Sequence, residues 1–194
     1  MRILFAFGSE LLFTGMFLLL VAALVLFVIR RARKERRRHE EVLIAFRTRN
    51  DFSSAEDLLW YTAREVVSRL GFSDCVIYRL DHTNKVCIQA AASGPKSPAG
   101  NSILNPIEIH FGRGIVGSVA ESGKTERIGK ATEDPRYIPD DDVRCSELTV
   151  PVIVNGKVIA IIDSEEKPID HFRQRDEELL MQVAKILSEK MSTF

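Results

Sequence analysis

Glycine, cysteine and histidine are the residue types in this 194-residue chain that invite a chemical reading first. Gly112-Arg113-Gly114-Ile115-Val116-Gly117 spells G-x-G-x-x-G, a spacing with which a backbone turn can cradle a dinucleotide pyrophosphate. That chemistry needs a buried parallel strand before the motif, a long helix after it, and an acid closing a second strand roughly 20 residues on. Here the preceding run alternates Ile107, Ile109 and Phe111, the following helix stops at Gly123, and the acids Glu133 and Asp134 fall in loop sequence. The motif therefore reads as a tight strand-to-helix turn that needs positive φ and close packing. Cys75, Cys87 and Cys145 include no C-x-x-C pair and are too few for a disulfide framework. His39, His82, His110 and His171 form no ligand-spaced cluster, so zinc and haem have no support, and no metal or cofactor is expected.

The elements that must position these residues begin with an apolar run. Residues 11–29 carry no charge over 19 positions. As a helix they span roughly 28 Å, close to the hydrocarbon thickness of a bilayer at about 30 Å. A cleaved signal peptide fits less well, because the run is long, lacks a small-x-small cleavage site, and is followed rather than led by its positive cluster. Residues 30–38 hold seven bases and one acid, leaving 19 bases against 25 acids in residues 39–194. The positive-inside rule then places the N-terminus outside and everything after Arg30 in the cytoplasm of a single-pass inner or plasma membrane protein. The basic run is a stop-transfer segment and a contact for anionic lipid. In the reducing cytoplasm the cysteines are expected as free thiols. The acidic remainder gives no support for nucleic-acid binding.

Four segments follow from this: a tail at residues 1–10, a transmembrane helix at 11–29, a basic juxtamembrane linker at 30–49, and a domain at 50–194. In the linker, Val42, Leu43 and Phe46 form a thin apolar stripe. Ser53 and Glu56 suggest a capping box for a helix carrying Leu59, Ala63, Val66 and Leu70 and closed by Gly71. Strands are expected at residues 75–80 and 85–91, then a Gly- and Pro-rich loop at 92–104. A strand at 107–111, a short helix at 115–122 and a weak strand at 127–129 follow. Residues 148–154 and 157–163 flank Asn155-Gly156, the preferred pair for a type I′ hairpin. A last helix at 173–190 carries Leu180, Val183, Leu187 and Met191. The order predicts an α+β fold, an antiparallel sheet with helices packed on one face.

The order and several strings of this domain resemble a GAF domain, the small-molecule-sensing module of bacterial membrane-linked signalling proteins. They are Phe111-Gly112-Arg113-Gly114-Ile115-Val116-Gly117, Asp134-Pro135-Arg136-Tyr137, Ser146-Glu147-Leu148-Thr149-Val150-Pro151-Val152, and Gly156 through Glu165, with Phe172 and Asp176. Phe172-x-x-x-Asp176-Glu177 matches half of the cyclic-nucleotide signature of such domains. The Asn-Lys half is missing, with Asp163-Ser164 in its place. One enzymatic branch resembles this chain too, the free-methionine-(R)-sulfoxide reductases. In that branch one cysteine lies where this chain has Val116 and another where it has acids and Val143. The resemblance aligns Glu147, Asp163 and Glu165 with acids that hold the ligand amine in those reductases. Asp163 and Glu165 lie two apart on one strand face with Ile159 and Ile161, and the hairpin brings Glu147 toward the same end. Tyr137 and Arg144 complete the expected ligand-binding set. The pocket is expected under residues 92–104, the short helix after Gly114 and the stretch around Tyr137.

The expectation is therefore a membrane-anchored sensory or regulatory module without catalytic activity. It binds a small molecule or a partner, such as a sensor kinase, and signals as a homodimer through its terminal helices. The alternatives are a redox enzyme of the reductase type and a ligand-free scaffold. The cysteine positions imply that a fragment from residue 39 lacks reductase activity. Asp163→Asn is expected to weaken an amine ligand by about 1.5–3 kcal/mol, with a much smaller effect on stability.

Overall fold

The computed structural model describes the backbone of residues 2–140 and 142–194, and side chains from residue 15 onward. The side chains of residues 11–14, the first four of the apolar run, lie outside the described ones. Two units are distinguished, residues 1–41 and residues 42–194. In the first, helix α1 begins at Arg2, so residues 2–10, expected as a tail, are helical; α1 runs to Thr48. From Met16 to Ile29 its large apolar side chains are mostly exposed, and the helix is long and apolar enough to cross a membrane.

In the second unit the end of α1 contributes Val42 and Phe46 to the core. Helix α2 (Ala55–Tyr61) continues as a π turn (Thr62–Val67) and a 3₁₀ turn (Ser68–Leu70), closed by Gly71 at φ 102°. Its N-cap is Ser54, whose hydroxyl accepts the Asp57 N–H at 3.1 Å, while Asp57 accepts from Ser53. The cap therefore sits one residue later than Ser53-x-x-Glu56 suggests. Strands β1 (Cys75–Asp81), β2 (Val86–Ser93), β3 (Glu108–His110), β4 (Glu126–Ile128), β5 (Ser146–Val154) and β6 (Lys157–Glu166) form one antiparallel sheet, ordered β3-β2-β1-β6-β5-β4. Helix α3 (Gly114–Ser122) joins β3 to β4, and α4 (Gln174–Met191) ends the chain.

Alternation along the strands divides the interior into two clusters. Ile77, Leu148, Val150 and Ile162 pack with α2, α4 and Phe46 on one face. Val76, Tyr78, Ile109 and Ile161 pack with Val116, Val119 and Ala120 of α3 on the other. The fold is the expected α+β sheet; α3 departs from the one-face arrangement and roofs the opposite side. A bulge on β6 pairs Val152 with Ala160 and Ile153 with Val158, so Ile159 turns toward the α2/α4 side rather than sharing a face with Ile161.

Two local devices shape the cleft-bearing side, and a third secures the end of α1. Gly112 and Gly114 have φ of 74° and 68°, and a Cβ on Gly117 would strike the carbonyl oxygen of His110. The glycine motif is thus a turn that seats α3 against β3. Arg136 holds Glu126 at 2.6 Å and Asp134 at 2.9 Å, fixing the Asp134-Pro135-Arg136-Tyr137 loop against β4. Where α1 ends, Lys190 of α4 donates to the carbonyls of Arg47 and Arg49 and to Asn50 Oδ1. It thereby closes the carbonyl end of α1.

Candidate functional site

The hairpin of β5 and β6 positions the acids. Asn155 and Gly156 adopt φ of 51° and 77°, the two positive values of a type I′ turn. This register sets Glu147 opposite Glu165 and Thr149 opposite Asp163. All four side chains leave the sheet on the α3 side, since their neighbours Leu148, Val150 and Ile162 point into the α2/α4 cluster. Together with Val76, Tyr78, Ile109, Val116, Ile138 and Asp140, the three acids line a cleft. Its free volume is about 20 Å³, room for a water molecule or so.

The electrostatics of this cleft are unusual. Glu147 and Asp163 are both buried, at 4% and 5% exposure. The Thr149 hydroxyl lies 2.6 Å from Asp163 Oδ1 and 3.3 Å from Glu147 Oε1, and its single proton serves Asp163. Burial, reinforced by the neighbouring carboxylates, holds the Glu147 carboxyl well above the ordinary range. Burial likewise pushes Asp163 up to about 7. Two buried carboxyls in hydrogen-bonding contact cannot both ionise cheaply, so near neutral pH they retain a proton between them. The buried Tyr78 phenol is pushed up as well, first by burial and then by Asp163.

Of the five expected ligand residues, the structure brings Glu147, Asp163 and Glu165 together. Tyr137 and Arg144 do not line the cleft. The Arg144 guanidinium is 3% exposed and holds Asp74 Oδ2 at 2.8 and 3.1 Å, with Asp142 at 3.6 Å. The Tyr137 hydroxyl accepts the Arg144 backbone N–H at 3.0 Å, tying the covering loop to the start of β5. Three residues escaped the sequence reading. Asp140 lines the cleft, Gln89 contacts it, and Lys96 from the 92–104 loop forms an ion pair with it. No local pattern marks any of them. Thr149 was missed as well, although its place two residues from Glu147 on the same strand face was a signal that could have found it.

The cysteines occupy three environments. Cys75 is buried in the α2/α4 cluster, with burial pushing its thiol upward. Cys87 is buried in the apolar cluster on the cleft side, and burial pushes its thiol to about 12. Cys145 is half-buried, its backbone bonded to Glu166 and Ala131. Val116 forms part of the cleft wall, and Val143 is exposed.

A six-stranded sheet of this order with helices on both faces has clear counterparts. Residues 54–190 match the family described as GAF domain. The chain belongs to the GAF family. Among relatives of this GAF protein, Protein YtsP of Bacillus subtilis is 31% identical over 104 residues, 50% of this chain and 64% of that protein. A free methionine-R-sulfoxide reductase of Saccharomyces cerevisiae is 22% identical over 159 residues, 77% of this chain and 83% of that protein. The structure of a free methionine-R-sulfoxide reductase from Neisseria meningitidis superimposes with a TM-score of 0.69 at 23% identity, covering 84% of this chain and 90% of that one. At that identity the superposition establishes the fold. The expectation of a module without catalytic activity is corrected by these findings: the relatives that match most of this GAF protein include enzymes. The cysteine positions on which that expectation rested are a weaker guide, since thiol chemistry depends on where the sulfurs sit in the fold.

Proposed function

We propose that this GAF domain binds a small ammonium-bearing molecule of the amino-acid class in the carboxylate cleft, as a membrane-anchored cytoplasmic regulatory protein. The observation that carries the binding reading is the convergence of Glu147, Asp163 and Glu165 on one apolar cleft, with Glu147 and Asp163 almost wholly desolvated. A cation placed among them offsets both the desolvation of the carboxylates and their mutual repulsion. Binding displaces the shared proton, so affinity rises with pH through about 7, where Asp163 titrates. The small free volume implies that the covering segments around Ile138 and Asp140 move to admit a ligand.

The test is a calorimetric and thermal-shift screen of amino acids, small amines and free methionine-R-sulfoxide on the full-length protein and its Asp163→Asn variant. The substitution is expected to weaken an ammonium ligand by about 1.5–3 kcal/mol, roughly 10- to 150-fold in affinity. Hits shared equally by both proteins would show that the acids are not the site.

A second reading, favoured by the yeast relative, is reduction of free methionine-R-sulfoxide in the same cleft. The thiols nearest in kind to that task are Cys87 in the cleft-side cluster and the half-buried Cys145. Turnover of the sulfoxide in the presence of dithiothreitol, lost on Cys87→Ser or Cys145→Ser, would establish it.

The membrane reading rests on the apolar part of α1 and the basic run at residues 30–38. Fusion of reporters after Phe194 is expected to give activity from a cytoplasm-dependent reporter. Activity from a reporter that works only outside the cytoplasm would reverse the orientation. Tethering in a membrane raises the local concentration of the domain and favours pairing of its terminal helices in a homodimer, the route by which we infer output reaches a partner chain such as a sensor kinase.

A further inference from the structure

Resting on the ammonium reading of the acids, we propose that Lys96 and Gln89 form a carboxylate-binding subsite of the cleft which Asp140 fills from within the chain. The ligand class is then the zwitterionic α-amino acid, with its ammonium at Glu147 and Asp163 and its carboxylate in the place of Asp140.

The cradle is built and largely buried. The Lys96 side chain is 3% exposed and its Nζ lies 2.7 Å from Asp140 Oδ1. The same Nζ donates to the Asn105 carbonyl at 3.0 Å. Gln89 Nε2 donates to Asp140 Oδ2 and lies 3.2 Å from the Tyr78 hydroxyl. Gln89 Oε1 accepts the Ile107 N–H at 3.2 Å, which fixes the amide with its NH₂ toward Asp140. Each donor is thus held by a backbone group that does not involve Asp140. Take Asp140 away, and an ammonium and an amide remain aimed at one carboxylate position.

Asp140 differs in kind from its holders. It belongs to an irregular segment between the 3₁₀ turn Ala131–Glu133 and β5, while Gln89 is on β2, a strand paired on both sides. Its carboxylate lines the same cleft as Glu147, Asp163 and Glu165. An internal carboxylate on its own tether competes at high effective concentration, so a simple carboxylic acid does not dislodge it. A simple amine leaves it in place. A zwitterion engages both ends at once: its ammonium relieves the acids while its carboxylate keeps Lys96 paired, and Asp140 moves out to solvent. The buried lysine is never left unpaired, which avoids the cost of an isolated buried charge. The plug is therefore a selectivity device against amines and acids that lack the other charge.

The experiment empties the cradle. In full-length Asp140→Gly protein, sodium acetate at tens of millimolar is expected to raise the thermal midpoint by a few degrees relative to equal sodium chloride. The wild type is expected to show no such difference. The acetate-specific shift should vanish in Asp140→Gly/Lys96→Met. An equal response to acetate and chloride in Asp140→Gly, or an acetate shift that survives the double substitution, would overturn the subsite. If the glycine variant shows no cooperative transition, Asp140→Ser takes its place in both arms. The selectivity arm uses L-methionine and 3-(methylthio)propylamine as probes. Asp140→Ser is expected to tighten methionine about tenfold and leave the amine unchanged; equal effects on both would reject the zwitterion claim. If neither probe binds any variant, the ammonium reading fails, while the acetate result still decides whether the cradle takes a carboxylate.

Discussion

Asp163→Asn is expected to raise the stability of the domain at pH 8 by roughly 2–4 kcal/mol and to change it little at pH 4. The ordinary aspartate value is 3.8, and burial lifts Asp163 in the folded protein to about 7. Between those values the folded chain keeps a proton that the unfolded chain releases. The stabilisation tied to that proton is complete below about pH 4 and is lost as pH rises through about 7, at about 1.4 kcal/mol for each unit. Asparagine has no charge to desolvate, can accept from Thr149 through Oδ1, and has an NH₂ to offer Glu147. The sequence-based expectation that this substitution barely touches stability is therefore revised by the burial of the site. Urea titrations of wild type and variant at pH 4, 6 and 8 measure the effect. A wild-type profile flat across that range, or a variant less stable than wild type at pH 8, would refute it. Glu147, also raised, adds to the wild-type slope and keeps a weaker dependence in the variant.

Arg144→Ala is expected to cost about 3–5 kcal/mol, the range for removing one member of a buried ion pair. Both side chains of the Arg144–Asp74 pair are buried, at 3% and 8% exposure. The Asp74 carbonyl also accepts the Ser164 hydroxyl at 2.5 Å, so this aspartate joins the loop before β1 to β6. Alanine leaves its carboxylate without the guanidinium. A double variant, Asp74→Asn/Arg144→Met, should recover much of the loss, because neutral groups of similar size replace a buried pair at small net cost. Chemical denaturation distinguishes this structural role from the ligand contact expected of Arg144. A loss below about 1 kcal/mol in the single variant, coupled to a large change in ligand affinity, would return Arg144 to the site.

What was legible in the sequence was local. Asn155-Gly156 fixed the central hairpin because its two positive φ values are a property of two adjacent residues. The stripe Leu180, Val183, Leu187 identified α4 because a helix repeats every 3.6 residues. Ser53 and Ser54 each have an acid three residues on, and the choice between them was made by the fold. The two-residue period put Asp163 and Glu165 on one face, and the hairpin brought Glu147 to the same end, but the period failed at Ile159, where a bulge inserts a residue. Burial of the acids was not legible. Whether a strand end is solvated depends on what covers it, and the cover comes from α3, Ile138 and Asp140. Lys96 meets Asp140 across 44 positions and Arg144 meets Asp74 across 70. Such separations leave no periodic trace.

Lys190 gives the domain a neck. Its ammonium reaches the carbonyls of Arg47 and Arg49 and the Asn50 side chain, with Phe46 and Phe52 rings 5.6 and 5.7 Å away. The chain thus enters and leaves residues 42–194 at one corner, and the six-stranded sheet hangs between as a closed loop. Residues 47–50 are joined to α4 by three hydrogen bonds that bypass the sheet. In engineering terms the sheet is wired in parallel with the neck rather than in series. The junction and the sheet therefore share any strain, because Val42 and Phe46 of α1 pack in one cluster with Ile77, Leu148 and the apolar face of α4.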